Sequence, residues 1–447
     1  MAGYRLPADK VTDNERLLAQ VRPADWRNPD PLPVYDLVVV GGGTAGLVCA
    51  AGAVGLGARV ALVERALLGG DCLNTGCVPS KALIRAARAV RDARASADAR
   101  VTTTSRVEFS EVMGSVRERR VDLAHHDSAP RLASLGVHVF FGVASFADPR
   151  TVLVDGRALR FRRAAIATGG RPSAPPIPGL SSVRYLTSEH LFDLTALPGA
   201  LLVIGGGPIG CEMAQAFALL GTAVTIIEAG SRILPREDAD AAAIVGRQLA
   251  ADGVRVVTNT SLRQVSEDGG QITAASDAGP MSADAVLVAT GRSANLEGLN
   301  LEQALVRYGE DGVVVDDHLR TSNRRVYAAG DVCSSFKFTH AADAMARVVI
   351  QNALFHGRRR ASSLVIPWCT YTCPELAHVG IPPEDATREG ATPITIPFAD
   401  VDRAVIDRVS DGFLRVHHEK GRIVAATIVG AHAGELIGYC ASAMRRG

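Results

Sequence analysis

The chain has 447 residues, too many for one hydrophobic core and enough for two or three domains that each bury an interior of their own. Its 48 Lys and Arg balance 47 Asp and Glu, so there is no electrostatic excess to hold nucleic acid or an anionic membrane, and small-molecule partners are expected. Hydrophobic residues at 47%, aromatics at only 5% and 44 glycines point to an α/β chain with many tight turns and close backbone approaches.

Residues 1–33 form a polar leader, charged at Asp9, Lys10, Asp13, Glu15 and Arg16, with no apolar run that suits a signal peptide or a membrane span. A cytoplasmic location is the expectation, and there the eight cysteines are more suited to catalysis or metal binding than to a static disulfide framework. The leader closes on Asn28-Pro29-Asp30-Pro31-Leu32-Pro33, which reads as an extended linker. Val34 to Val40 is then a buried strand, Gly41-Gly42-Gly43-Thr44-Ala45-Gly46 a turn into an Ala-rich helix ending near Gly55-Leu56-Gly57, and Arg59 to Val63 a second strand closing on Glu64.

The same order recurs at Leu201 to Ile204, Gly205-Gly206-Gly207-Pro208-Ile209-Gly210, a helix through Leu220, and a strand Ala223 to Ile227 closing on Glu228. An offset of 205 − 41 = 164 residues is too long for a repeat protein and suits two separate nucleotide-binding domains. From Ile366 onward, β-type segments around Val365–Thr372, Gly412–His417 and Ile423–Val429 suggest a third, mixed domain.

In each G-x-G-x-x-G, the first glycine (Gly41, Gly205) permits the tight turn. The second (Gly43, Gly207) admits a pyrophosphate to the backbone, and the third (Gly46, Gly210) lets the helix pack on the sheet. The helix starts, with Thr44 and Ala45 in one and Pro208 and Ile209 in the other, face the phosphates with unpaired N–H groups. Glu64 and Glu228 are placed to accept hydrogen bonds from adenosine ribose hydroxyls. A carboxylate at 228 repels a 2′-phosphate, so NADH is favoured over NADPH. Arg232 and Arg236 follow in the same loop, either as phosphate ligands or as solvated loop arginines.

Between the two copies, Gly69-Gly70-Asp71-Cys72-Leu73-Asn74-Thr75-Gly76-Cys77-Val78-Pro79-Ser80-Lys81 places two thiols close together at a helix start, where their sulfurs can meet. The helix dipole and Lys81, four residues after Cys77, favour a thiolate. The alternatives are two buried structural cysteines or half of a zinc site, although no second Cys-x-x-Cys or His pair accompanies them.

This run, together with the two fingerprints, resembles the class I pyridine-nucleotide disulfide oxidoreductases, the group of dihydrolipoamide dehydrogenase, glutathione reductase and mercuric reductase. The resemblance extends from about Val34 to the end and includes Ala165-Ile166-Ala167-Thr168-Gly169-Gly170-Arg171-Pro172, Ala289-Thr290-Gly291-Arg292 and Tyr327-Ala328-Ala329-Gly330-Asp331-Val332. Ile366-Pro367-Trp368-Cys369-Thr370-Tyr371, Gly430-Ala431-His432-Ala433-Gly434-Glu435 and the wording around Cys72 are most similar to mercuric reductases. The resemblance implies an α/β fold with two Rossmann-like dinucleotide-binding domains, for FAD and NAD(P), and a C-terminal α+β dimerisation domain. Its boundaries fall at 34–185 and 296–365 for FAD, 186–295 for NAD(P) and 366–447 for dimerisation.

It also implies roles. Cys77 is the thiolate that contacts the flavin and forms a charge-transfer complex with it, and Cys72 is the interchange thiol that attacks the substrate. Lys81 stands beside the flavin N5, Glu212 pairs with it, and Asp331 binds the ribityl chain. Arg65, Gly70, Asp71, Ala144, Thr168, Gly169, Gly291, Arg292, Gly330 and Thr339 complete the cofactor contacts. The implied activity is NAD(P)H-driven reduction of Hg(II) or a disulfide by a homodimer. The same relay run backwards would oxidise dihydrolipoamide, and a flavoprotein with impaired thiol exchange, acting as a diaphorase or a structural partner, is the alternative from another class. In the family a His-Pro motif followed by Glu supplies the proton for the departing thiol. The sequence ends at Gly447 ahead of such a motif, so an incomplete C-terminal domain is expected. Neither His432, His417 nor His418 is nominated in its place. No metal site is assigned, although Cys369 and Cys373 have a spacing that could hold a soft ion.

Overall fold

The computed structural model describes residues 11–96 and 106–446 as a mixed α/β protein. It divides into two compact units, one drawn from residues up to Pro79, Gly114–Pro172 and Arg292–Leu364, the other from Ser80–Met113, Ser173–Gly291 and Val365 onward.

The first unit is organised around parallel strands in the order His138–Phe141, Val60–Glu64, Tyr35–Val40, Arg157–Ile166 and Val326–Ala328. Tyr-Asp-Leu-Val-Val-Val and Val-Ala-Leu-Val-Glu are almost wholly buried, which is why they read as continuous apolar runs rather than alternating ones. Val40 stands opposite both Val63 and Ile166, and Ile166 opposite Ala328, so the strands end level. Gly41, Glu64, Ala167 and Ala329 therefore emerge along one carboxyl edge, the edge at which open parallel sheets bind ligands. An antiparallel pair, Ala144–Asp148 and Thr151–Val154, continues from the first half of Arg157–Ile166. The Thr44–Gly55 and Thr339–Leu354 helices pack so closely that a Cβ on Gly52 would come 2.7 Å from Ile350 Cδ1.

The charged leader contributes more than a linker. Val11–Val21 is a helix whose Leu17 and Val21, one turn apart, are buried in the core of this unit. Trp26 meets Phe141 edge-on, and Asn28 exchanges two 2.8 Å hydrogen bonds with the Phe141 backbone, completing the edge of the His138–Phe141 strand. Composition hid this because two apolar residues at helical spacing suffice to anchor a helix that is polar on its other faces.

The second unit holds a four-stranded parallel sheet in the order Arg255–Val257, Ala223–Ile227, Ala200–Ile204, Ala285–Val288, and a three-stranded antiparallel sheet, Leu262–Asp268, Gln271–Ser276 and Gly279–Ala283, is inserted in the chain between Arg255–Val257 and Ala285–Val288. Its C-terminal part is a five-stranded antiparallel sheet in the order Pro367–Thr370, Glu375–Gly380, Arg422–Gly430, Phe413–Glu419, Thr392–Pro397. Ala433–Arg446 covers it, burying Ala433, Ile437 and Ala441 among Ala377, Val379, Ala426 and Ile428. The described part of 80–113, kept with the first nucleotide domain in the sequence reading, clusters with this second unit.

Candidate active site

The two glycine fingerprints repeat one geometry in the two units. Gly41 (φ +109°) and Gly205 (φ +105°) occupy conformations that suit glycine, and a Cβ there would lie 2.3 Å from the Ala167 carbonyl or 2.7 Å from that of Ala289. At Gly46 and Gly210 an added Cβ would meet the carbonyl of Gly41 at 1.8 Å or of Gly205 at 2.0 Å, with Val39 and Val203 of the preceding strands at 3.4 Å. The third glycine thus clears its own turn before it clears the sheet, which sharpens the sequence-based reason for it.

The middle glycines differ. Gly43 and Gly207 have ordinary negative φ, a Cβ at Gly207 would meet nothing within 4 Å, and one at Gly43 only the Gly70 Cα at 3.7 Å. Packing does not demand glycine at either place, whereas a phosphate approaching the backbone does. No side chain caps the helix starting after either of them, while the Ala239–Ala251 helix is capped by Asp238. The N–H groups at these two helix starts thus have no side-chain cap and are able to take a phosphate. The residues fit a dinucleotide in each unit.

Glu64 and Glu228 serve the turns as well as the strand ends. Glu64 accepts hydrogen bonds from the Gly42 and Ala66 N–H groups, each at 2.6 Å, and Glu228 accepts from Gly206 at 2.7 Å and Gly230 at 2.6 Å. Burial pushes the Glu64 carboxyl above its ordinary range, and the two N–H donors pull against it. Arg232, which could have served a phosphate, instead donates to the carbonyls of Leu234, Pro235 and Glu237.

In the first unit, Arg292 joins three residues named from the sequence: it donates to Asp71, to Asp331 at 3.2 Å, and to the Gly170 carbonyl at 2.7 Å. Burial raises the Asp331 carboxyl despite the attraction of Arg292. Thr168 and Asn295 exchange hydrogen bonds beside Gly169, whose φ is +68°. Asn295 was missed because it lies three residues past the Ala-Thr-Gly-Arg motif and acts only across the fold. Gly330 (φ +82°) brings its backbone near Ala45 and Ala342. Arg65 is exposed, its carbonyl accepting from Arg22, and Ala144 is buried opposite Val154. In the second unit, Gly291 (φ +140°) accepts from the Ser173 N–H at 3.0 Å.

Cys72 lies in the short helix Gly70–Asn74 and Cys77 begins the helix Cys77–Ala95. Left-handed Gly69 (φ +88°) and Gly70 (φ +53°) lead into the first, and Gly76, where a Cβ would lie 2.8 Å from the Asp71 carbonyl, allows the turn between them. The two sulfurs are not joined as a disulfide. Their mutual hydrogen bond, with burial next, pushes the Cys72 thiol well above its usual range, while the Thr339 hydroxyl pulls it down. Cys77 Sγ lies 3.1 Å from Thr339 Oγ1. At Cys72 the neighbouring sulfur and burial oppose the expected lowering of a thiol.

In the second unit Lys81 donates to Glu212 Oε2 at 3.0 Å, joining residues 131 positions apart. Glu212 Oε1 accepts from the Tyr371 N–H at 2.9 Å, and the Lys81 ammonium lies 4.5 Å from the Tyr371 ring centre. Gln215 holds the Cys373 backbone from both sides, at 2.7 and 2.8 Å. Among the described residues no group of three or more His, Cys, Asp or Glu is placed to hold a metal, and no helix is long and apolar enough to cross a membrane.

Residues 35–346 match the model of the pyridine nucleotide-disulphide oxidoreductase family, and residues 366–447 match its dimerisation domain. The chain is 33% identical over 421 residues to a mercuric reductase of Staphylococcus aureus, covering 90% of this chain and 76% of the relative. It is 32% identical over 424 residues to the dihydrolipoyl dehydrogenase of Bacillus subtilis, covering 91% and 92%. Among solved structures, the HOCl-induced flavoprotein disulfide reductase RclA of Escherichia coli superposes with a TM-score of 0.83 at 30% identity, covering 92% of this chain and 94% of that one. The same reductase has also been solved as a Cu(II) complex.

Proposed function

The chain belongs to the pyridine nucleotide-disulphide oxidoreductase family, and from that premise we propose that it uses NADH to reduce Cys72 and Cys77 and delivers their electrons to a thiophilic acceptor, Hg(II) or another soft metal ion, or a disulfide. The family is FAD-dependent and uses NAD(P)H; bound FAD supplies the two-electron hydride chemistry that links nicotinamide to thiol. Gly41, Gly43, Gly46, Glu64, Asp331 and their neighbours hold FAD in this reading, and Gly205, Gly207, Gly210 and Glu228 hold the pyridine nucleotide. Lys81, fixed by Glu212, is the cation that serves the flavin ring. NADH is favoured because Glu228 supplies negative charge at the strand end while Arg232 is engaged with carbonyls of its own loop.

One observation carries the reading: the Cys72 and Cys77 side chains are hydrogen-bonded to each other as free thiols, and Cys77 Sγ is 3.1 Å from the Thr339 hydroxyl. On attack at a disulfide acceptor, Cys72 passes its proton to Cys77 and forms a mixed disulfide, and the first acceptor thiolate leaves. Cys77 then loses that proton and attacks the Cys72 sulfur. The second thiolate leaves, the proton given up by Cys77 and one from solvent protonate the two leaving thiolates, and the two cysteines end as a disulfide, two electrons having passed to the acceptor. The names of the mercuric reductase relatives and the Cu(II) complex of the E. coli reductase support a metal ion as acceptor. The similar identity to a dihydrolipoyl dehydrogenase supports the reverse reaction on a dithiol. A homodimer is part of the reading, supported by the match to the dimerisation domain and by the exposure of Ile406 (75%) and Tyr439 (78%) in that part of the chain.

Anaerobic titration with NADH tests it. A long-wavelength charge-transfer band that disappears in Cys77→Ser and persists in Cys72→Ser is expected, followed by turnover with Hg(II), oxidised glutathione or lipoamide. Reduction of dyes alone, with no such band, would sink it.

A further inference from the structure

We infer that Tyr371 is a positioning residue for Lys81, holding both members of the Lys81–Glu212 pair: its ring faces the ammonium and its backbone N–H binds the carboxylate. The inference rests on the reading of Lys81 as the cation that serves the flavin.

The two oxygens of Glu212 have separate partners, Lys81 Nζ on Oε2 at 3.0 Å and Tyr371 N–H on Oε1 at 2.9 Å. The carboxylate is nearly sealed, with 7% of its side chain exposed, but 38% of the Lys81 side chain is open to solvent. A lysine so open has many rotamers to choose from, and a single hydrogen bond leaves its amine free to pivot. The Tyr371 ring, 4.5 Å from Nζ, adds an attraction from a second direction without competing for a proton.

Tyr371 is itself held. Arg88 Nη2 donates to the carbonyls of Tyr371 at 3.3 Å and Thr372 at 3.2 Å, and to Glu375 Oε1 at 2.7 Å. Glu375 Oε2 accepts from the Gly434 N–H at 3.0 Å, and a Cβ on Gly434 would lie only 3.5 Å from Tyr371 Cε1. The start of the Ala433–Arg446 helix thus closes over the ring, and all of these residues belong to the second unit.

The sequence makes the test practical: of its 48 basic residues only Lys10, Lys81, Lys337 and Lys420 are lysines. With 13C at the lysine ε carbon, the flavin-bound enzyme gives four side-chain signals, and Lys81→Gln identifies the one from Lys81. We expect that signal upfield of the others through the ring current of Tyr371, retained in Tyr371→Phe and lost in Tyr371→Leu. Flavin reduction by NADH should slow at least fivefold in Tyr371→Leu and less than twofold in Tyr371→Phe. A Lys81 signal coincident with the other three in the wild type overturns the inference without any variant of Tyr371. So does a Tyr371→Leu enzyme that reduces its flavin at the wild-type rate, or a Tyr371→Phe enzyme as slow as Tyr371→Leu. The two possible failures separate. A normal rate in Lys81→Gln overturns the catalytic reading of Lys81, whereas absence of the ring-current shift overturns the placement of Tyr371.

Discussion

Thr339 Oγ1 stands 3.1 Å from Cys77 Sγ, across 262 positions of sequence. Family resemblance implies a cofactor contact for Thr339, and its hydroxyl also faces the sulfur, where it is able to donate to a thiolate. A hydrogen bond to a charged group contributes about 1.5–3 kcal/mol. Thr339→Val should therefore move the pH midpoint of the charge-transfer band upward by about one pH unit, and Thr339→Ser should restore it. An unchanged midpoint in the valine variant would remove Thr339 from the thiolate site.

The middle and third glycines of the second fingerprint should separate binding from folding. Gly207→Ala introduces a methyl group that meets no protein atom within 4 Å, so its thermal midpoint should stay near wild type while KM for NADH rises by tenfold or more. Gly210→Ala puts a Cβ 2.0 Å from the Gly205 carbonyl and should cost several kcal/mol, about 2–4, with poor soluble yield. Equal destabilisation by the two would show that Gly207 is required for packing after all.

Glu228 should govern nucleotide choice. Its carboxylate supports the Gly206 and Gly230 N–H groups and supplies the negative charge at the strand end. Glu228→Ala is expected to lower kcat/KM with NADH by about tenfold or more, near 1.4 kcal/mol, and to lower it less with NADPH. Wild-type enzyme that prefers NADPH would contradict this assignment.

Glu237 should make stability depend on pH. It is buried, accepts a 2.8 Å hydrogen bond from Trp368 Nε1, and has no partner on Oε2. Burial pushes its carboxyl up to about 7, with Trp368 and Arg232 pulling down. A raised carboxyl is a folded state that prefers the proton. Its contribution is therefore complete below the ordinary value near 4.5 and is lost as pH rises through about 7, a change of about 3 kcal/mol at most. Glu237→Gln keeps the acceptor for Trp368 and removes the ionisation. Thermal midpoints of variant and wild type should nearly coincide at pH 4.5, and the variant should melt higher at pH 8. A constant difference across that range would show that Glu237 ionises without cost.

Much of the fold was legible because its signals are local. A run of buried Val and Leu, a glycine turn, a helix and a strand ending on Glu lie within about thirty residues, and strands at Tyr35–Val40, Val60–Glu64, Ala200–Ile204 and Ala223–Ile227 follow that pattern within a residue or two. Cys72 and Cys77 were legible for the same reason, being separated by one turn that needs Gly76. The helix Val11–Val21 was not, since charge dominated its composition while the buried Leu17 and Val21 anchor it in the core.

What the sequence by itself determined, then, is the pair of dinucleotide turns and the nearness of two thiols, because backbone sterics and short spacing decide them. Tertiary structure alone decided which further groups surround those thiols and charges: Thr339 on Cys77, Tyr371 on Lys81, Arg292 between Asp71 and Asp331. These partners are 39 to 290 positions apart (371 − 81 = 290 for the longest), so no local periodicity encodes them. They meet only because parallel strands end level and the C-terminal sheet brings its first turn to Glu212. It is this meeting that decides what each sulfur touches and where the lysine points.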